Sequence, residues 1–361
     1  MYTRDKTRRI QVRGVPVGGG APLTVQSMTN TDTRNVEATV NQIHRLVSAG
    51  CDIVRLAVPD KEAAEALASI RKETNVPLVA DIHFHHELAL RALDAGVDKL
   101  RINPGNIGSA DRVREVARAA ETRGVPIRVG VNAGSLKKEL LEKYGHPVPE
   151  ALAESAVNEV EILGNTGFND VCVSIKASNV MDTVRANILF AERRDNPIHL
   201  GVTEAGTVSY GTIKSSCGIG AMLAQGIGDT LRVSLTADPV IEVSTGIAIL
   251  KATGLRKAGA EVVSCPTCGR TEIDLIGLAE EVERRAVSIK NPVVIAVMGC
   301  VVNGPGEARE ADYGIAGGKG VGLLFRKGEI VAKVSEDRLV DELFSLIEGD
   351  LSSGRPSSKT N

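Results

Sequence analysis

The chain reads as an α/β protein: an amino-terminal (β/α)8 TIM-like barrel followed by a smaller α/β domain built around cysteines. Three observations predict this. Short apolar runs alternate with amphipathic stretches through the first 254 residues, eight times over. The runs are near-continuously apolar, as strands buried on both faces of a parallel sheet are. Eight such units in about 250 residues match the count and size of a TIM barrel, whereas an open doubly wound sheet rarely repeats so regularly.

In chain order, Ile10–Gly18 reads as a hairpin capping the barrel floor. The strand segments are Leu23–Met28, Asp52–Val58, Pro77–His83, Lys99–Asn103, Pro126–Asn132, Asp170–Ala177, Ile198–Glu204 and Thr230–Thr236. Helical patterns follow them, among others at Val36–Ala49, Lys61–Thr74, Ala110–Arg123, Val180–Arg194 and Val240–Ala252. From Ala260 the character changes. Glu261–Ser264, Glu272–Ala286 and Pro292–Met298 form a βαβ unit; Tyr313–Val334 reads as glycine-rich antiparallel strands and Arg338–Ile347 as a closing helix. The expected organisation is a substrate-binding barrel over residues 1–255, a cluster domain over 260–350 and a polar, disordered tail over 351–361.

Composition narrows the setting. A net charge of −2 argues against a general polyanion-binding surface. Nine aromatic residues and no Trp leave little for stacking single-stranded nucleic acid. There is no leader-like apolar segment at the start and no apolar span long enough for a membrane helix. Six cysteines at low density suit a reducing cytoplasm better than a disulfide framework.

Three of those cysteines carry a motif. Cys265-Pro-Thr-Cys268 is followed by Cys300 after 31 intervening residues, in the run Gly299-Cys300-Val301-Val302-Asn303-Gly304-Pro305-Gly306-Glu307. Three thiolates can grip one face of a soft metal centre, and Glu307 can fill the remaining position as a weaker oxygen ligand. An iron–sulfur site, a structural zinc site and a dithiol redox pair all fit C-x-x-C. The first leads, because a closed zinc site wants a fourth Cys or His and no His follows residue 199. The βαβ unit brings the three thiols to one edge of a small sheet. Cys51, Cys172 and Cys217 sit among apolar or small residues and read as reduced core or near-core thiols.

The second signal is charge inside the strands. Arg55, Arg101, Arg128, Lys176 and Arg232 each interrupt an apolar run. A lone buried charge costs roughly several kcal/mol unless paired, and only Asp81 and Glu204 stand out as internal partners. Converging at one barrel mouth, these cations call for an anion, and arginine forks suit phosphate oxygens. His83, at a strand end, is placed for binding or catalysis; His85 and His86 read as the start of the next helix. The loop Asn103–Gly108 can offer backbone amides to a phosphate.

Together these motifs closely resemble the GcpE (IspG) family of 4-hydroxy-3-methylbut-2-enyl diphosphate synthases. The resemblance runs through Val25–Thr31, Asp81–Phe84, Arg101–Gly108, Ser174–Ser178, Val202–Gly206, Cys265–Arg270 and Met298–Ala308. It implies a barrel plus a sulfite-reductase/ferredoxin-like domain with a [4Fe–4S] cluster on Cys265, Cys268, Cys300 and Glu307. It implies an iron–sulfur oxidoreductase of the non-mevalonate isoprenoid pathway that opens 2-C-methyl-D-erythritol 2,4-cyclodiphosphate reductively, with electrons from flavodoxin or ferredoxin. On this view Arg55, Arg101, Arg128, Lys176 and Arg232 hold the diphosphate. His83, Asn132, Thr203, Glu204, Ser234 and Asn303 form the hydrogen-bonding and proton-supplying shell. It also implies a head-to-tail homodimer with active sites shared between chains. Chain geometry points the same way: the helix after strand eight runs back to the floor, and the linker Thr253–Ser264 spans at most about 40 Å.

Overall fold

A computed structural model describes residues 4–300 and 308–353 of the chain. It divides into two compact units, one ending at Arg256 and the other beginning at Lys257.

The first unit opens with a hairpin of β1 (Ile10–Val12) and β2 (Val15–Val17), then eight parallel strands: β3 (Thr24–Met28), β4 (Ile53–Ala57), β5 (Leu78–Asp81), β6 (Lys99–Ile102), β7 (Ile127–Asn132), β8 (Val171–Lys176), β9 (His199–Leu200) and β10 (Thr230–Leu231). Their order is β8-β7-β6-β5-β4-β3-β10-β9, and a parallel bridge between Val173 and Ile198 brings β8 back to β9, closing a barrel. Around it stand α1 (Val36–Ser48), α2 (Lys61–Lys72), α3 (His86–Asp94), α4 (Ala110–Arg123), α5 (Lys138–Tyr144), α6 (Pro149–Gly164), α7 (Val180–Ala191), α8 (Val208–Ala224) and α9 (Pro239–Ala252). The last two strands are much shorter than their apolar runs suggest, because past Leu200 and Leu231 the chain turns out into loops that carry Thr203, Glu204 and Ser234. Local chemistry sets the helix starts. Asp60 accepts from the Ala63 amide ahead of α2, and Asp238 accepts from Val240 ahead of α9, whose first residue is a proline.

Residues alternate along each strand, so one set packs against the helices and the other fills the barrel. With the shear of a TIM barrel, inward side chains of alternate strands fall into layers of about four. From the floor upward, the strand register gives Ile53, Lys99, Cys172 and Thr230, then Gln26, Val79, Arg128 and His199, then Arg55, Arg101, Ser174 and Arg232. Met28, Asp81, Gly130 and Gly201 lie above these, with Lys176 and Ser234 near the rim. Among the described residues, hydrophobic closure comes at the bottom, where Ile10, Val12 and Val17 of the hairpin pack on Ile53, Val79 and Cys172.

The second unit is a five-stranded mixed sheet, β11 (Ala260–Ser264), β12 (Val293–Met298), β13 (Tyr313–Gly318), β14 (Val321–Arg326) and β15 (Glu329–Ser335), in sequential order. The first three strands are parallel and the remainder antiparallel, with α10 (Leu275–Ala286) crossing from β11 to β12 and α11 (Leu339–Ser352) closing the unit. Its core joins Leu275 and Val282 of α10, Ile295 and Val297 of β12, and Leu343, Phe344 and Ile347 of α11. Helix α11 runs five residues past the expected end at Ile347, since its apolar face continues along the sheet. Apart from Leu351, Ser352 and Ser353, the expected tail lies outside the described residues. Among the described residues no helix is long and apolar enough to cross a membrane. Of the three thiols expected in or near the core, Cys51 and Cys172 are buried, but Cys217 is exposed, because its position on α8 turns away from the barrel.

The hairpin is the floor's only apolar seal among the described residues, so Ile10→Ala should cost about 2–5 kcal/mol in denaturant unfolding. It should also make Cys172 react with iodoacetamide in the native protein. Unchanged stability and a protected Cys172, mapped by mass spectrometry, would show that the hairpin is dispensable to the barrel.

Candidate functional sites

All five predicted strand cations occupy inward positions, Arg128 in the second layer from the floor and the other four above it. Arg128 is 1% exposed, Arg101 7% and Lys176 8%, while Arg55 and Arg232 are half-buried. Asp81 is their shared counter-charge: its carboxylate lies 3.3 Å from Arg101 Nη1, 3.7 Å from Arg55 Nε and 3.6 Å from His83 Nε2. Burial opposes the charge on Asp81, but Arg55, the His83 hydrogen bond and Arg101 outweigh it and hold the carboxyl well below the usual range. The half-exposed His83 ring rests 3.2 Å from Arg101 Nη1 and so belongs to the same cluster.

Glu204 is not the second internal partner. It is exposed on the loop after β9, its backbone is left-handed at φ 52°, and its carbonyl accepts from Lys214. A non-glycine residue rarely holds that conformation, and such strain gathers at functional loops. The counter-charge to Arg232 is instead Glu242 of α9, buried at 3% exposure, with Oε2 at 3.2 Å from Arg232 Nε and Oε1 accepting from the Leu235 amide at 3.0 Å. Ser27 also donates to it, at 3.2 Å. Its signal was a lone carboxylate in the otherwise apolar stretch Pro239–Leu250. Glu159 of α6 was missed in the same way: 1% exposed, it accepts from the Gly105 amide at 2.6 Å and pairs with Lys137 at 3.0 Å, fixing the loop after β6.

Two glycines make room for the cations. A Cβ at Gly130 would stand 2.6–2.7 Å from the Arg101 guanidinium, and one at Gly201 would stand 2.6 Å from Lys176 Nζ. Asn132 ends β7; Thr203 and Ser234 follow β9 and β10, all half-buried at the same end.

Burial above all, and repulsion between the cations, depress Arg55, Arg128 and Lys176. Arg128 is pushed down to about 10, first by burial and then by Arg101. Lys176 lies well below the ordinary lysine range through burial and four neighbouring arginines, and Arg55 is lowered by burial despite Asp81. With Asp81 and Glu242 as the carboxylates paired to them, the mouth carries excess positive charge at the carboxyl ends of barrel strands, where TIM-barrel sites form.

The second site is the cysteine edge. Cys265 directly follows β11, and its amide continues the parallel ladder by donating to Val297 at 3.3 Å. The Gly299 amide donates to Cys265 Sγ at 3.2 Å. Cys268 is exposed; the Arg270 amide, then the Arg270 side chain and Thr271, lower its thiol. Cys300 lies two residues past the end of β12, the neighbour of β11, so the topology brings all three to one sheet edge. Among the described residues no three His, Cys, Asp or Glu side chains converge on a common point. The donor chemistry fits an iron–sulfur group: three thiols at one sheet edge, two of them accepting from backbone amides. Asn303 and Glu307 lie outside the described residues.

Inorganic pyrophosphate should bind the mouth. Arg128→Leu or Arg232→Leu should weaken it by about tenfold to about 150-fold, the equivalent of about 1.5–3 kcal/mol for one charge-assisted hydrogen bond. Binding should take up protons, because an anion restores the depressed basicity of Lys176. Calorimetry in buffers of different ionisation enthalpy reads both; unchanged affinity in both variants would place the arginines outside the site.

Comparison with known proteins agrees with this geometry. A family profile described as "GcpE TIM-barrel domain" matches residues 7–247, and one described as "GcpE protein C-terminal domain" matches 261–349. A Geobacter sulfurreducens protein named 4-hydroxy-3-methylbut-2-en-1-yl diphosphate synthase (flavodoxin) is 60% identical over 345 residues, covering 96% of this chain and 98% of its own length. A relative of the same name from Clostridium perfringens is 57% identical, covering 96% and 99%. Among solved structures, Yersinia pestis dihydropteroate synthase matches with a TM-score of 0.50 at 12% identity, over 68% of this chain and 97% of that one, a likeness of fold alone. The chain belongs to the GcpE family.

Proposed function

We propose that this protein is a flavodoxin-dependent 4-hydroxy-3-methylbut-2-en-1-yl diphosphate synthase. In this reading it converts 2-C-methyl-D-erythritol 2,4-cyclodiphosphate to the open-chain diphosphate with two electrons, two protons and loss of one water. The observation that carries the reading is the pairing of an anion-seeking barrel mouth with a three-thiol edge in one chain of this family. A pteroate-synthase-type barrel enzyme would have no use for the thiol set, and a pure electron carrier none for the cations.

The mouth's residues have separable tasks. Arg55, Arg101, Arg128, Lys176 and Arg232 neutralise and orient the two phosphates. Asp81 and Glu242 hold Arg55, Arg101 and Arg232 in place before substrate arrives, so little reorganisation is needed on binding. His83, Asn132, Thr203, Glu204 and Ser234 supply the hydrogen bonds around the ring oxygens, and Asn303 is assigned to the same shell. Glu204 is the carboxyl group proposed to serve the departing oxygen, which its strained and exposed position supports. Cys265, Cys268 and Cys300, with Glu307, would hold a [4Fe–4S] cluster. When bound, that group supplies single electrons and a Lewis-acidic iron. A thiolate set of this kind suits the reducing cytoplasm, and flavodoxin, or ferredoxin, is the donor.

A head-to-tail homodimer completes the proposal. Arg256 pairs with Asp52 at 3.0 Å, and Asp52 precedes β4, so the chain leaves the barrel at its floor while the cations gather at the mouth. That supports a site completed by a second copy.

Anaerobically purified protein should contain about four irons per chain, absorb broadly in the visible and consume the cyclodiphosphate with reduced flavodoxin. One colourless zinc would overturn the assignment. Cys300→Ser should lose the iron, while Glu307→Gln should keep much of it and turn over far more slowly. Equal iron loss in both would make Glu307 purely structural.

Mixing Cys300→Ser chains with Arg232→Leu chains under exchange conditions tests the dimer. Random pairing makes about half the dimers mixed, each with one intact composite site, so about a quarter of wild-type activity should return. No recovery despite demonstrated exchange would mean each site closes within one chain.

A further inference from the structure

The lower barrel contains a cluster of unpartnered polar atoms beneath the diphosphate pocket, with Arg128 standing between the two. Lys99 and His199 are fully buried, and Gln26 and Arg128 are each 1% exposed. Lys99 Nζ, Arg128 Nε and Nη1, His199 Nε2, both polar atoms of the Gln26 amide and Thr24 Oγ1 are buried with no hydrogen-bond partner among the described residues. They come from β3, β6, β7 and β9, and strand alternation aims each side chain at the barrel interior.

No carboxylate occupies an inward position in these layers, whose members are Ile53, Lys99, Cys172, Thr230, Gln26, Val79, Arg128 and His199. Asp81 stands two layers higher, engaged by Arg55 and Arg101. Asp229 accepts from the Ile198 amide at 2.9 Å and from Thr7 at 3.0 Å at the floor. The apolar hairpin covers the floor beneath.

Buried polar atoms in native proteins almost always find partners, and each one left without costs about 1–3 kcal/mol. Donors dominate this cluster, and two of its groups are basic enough to carry charge. Water could accept from the donors but would leave the charge uncompensated, whereas a small anion does both. Arg55, Arg101, Ser174 and Arg232 fill the layer above and the hairpin covers the floor, so a small ion suits these enclosed layers better than a polyatomic one.

We propose that the lower barrel is a site for a small monovalent anion of the halide class, bound by Lys99, His199 and Gln26 beneath the diphosphate pocket, with Arg128 shared between the two. Its role is to balance charge. The inner cations stay protonated, and the cations above keep their capacity for substrate. Burial, and then repulsion from Arg128, push Lys99 down to about 8 without such a partner; an anion at hydrogen-bond distance reverses that push.

Bromide is the probe. Crystals of the full-length, cluster-loaded protein grown in bromide should show an anomalous peak inside the barrel within hydrogen-bond reach of Lys99 Nζ, and Lys99→Met crystals should lose that peak alone. In solution, bromide replacing gluconate at constant ionic strength should raise the wild-type Tm saturably by roughly 2–4 °C and leave Lys99→Met unmoved. Bromide found only at Arg55 and Arg232, water-only density beside Lys99, or an equal Tm rise in Lys99→Met would each overturn the proposal. If Lys99→Met does not fold, the wild-type anomalous map decides by itself. None of these readings depends on turnover, so failure here leaves the proposed reaction standing.

Discussion

Positive charge held inside a closed barrel is the constraint on which the rest of this structure depends. TIM-barrel interiors are ordinarily filled by branched apolar side chains. Here the middle layers hold Arg55, Arg101, Arg128 and Arg232, with Lys99 beneath and Lys176 above. Dispersion and hydrophobic transfer cannot hold such an interior together, so the apolar packing lies elsewhere: between strands and helices, and at the floor, where the hairpin closes on Ile53, Val79 and Cys172. The interior is then free to be shaped by electrostatics, and its glycines at 130 and 201 give long cationic side chains room to lie across it.

Preorganisation follows from the same constraint. Each ion pair that steadies a mouth arginine uses a carboxylate that is itself fixed by other bonds, Asp81 by two arginines and His83, Glu242 by Ser27 and the Leu235 amide. The two carboxylates are too few to neutralise the cluster, and the residual charge is what an anionic substrate meets. Binding energy from the phosphates is thereby available for positioning the reacting part of the substrate. In the second unit the corresponding device is backbone donation: the Gly299 amide donates to the Cys265 sulfur, and the Arg270 amide lowers the Cys268 thiol.

Much of this was legible in the linear sequence, and for a clear reason. A parallel barrel demands strands that are apolar on both faces, so any cation within them stands out, and Arg55, Arg101, Arg128, Lys176 and Arg232 were all found that way. The C-x-x-C spacing and the change of character near Ala260 are equally local, and β11, α10 and β12 fall where the pattern put them. By itself, the sequence determined the barrel, the cations inside it and the three-cysteine motif, because each rests on residue type and short-range period. Only the tertiary structure decided which carboxylates answer which cations. Glu204 ends an expected strand segment yet turns out to solvent, while Glu242 and Glu159, on helices, reach inward. Lys99 and His199 gain meaning only from the register, which sets them near Arg128 in two adjacent layers without acids. Pairing across a closed barrel depends on shear and on where each loop turns, and neither leaves a periodic trace in one chain's sequence.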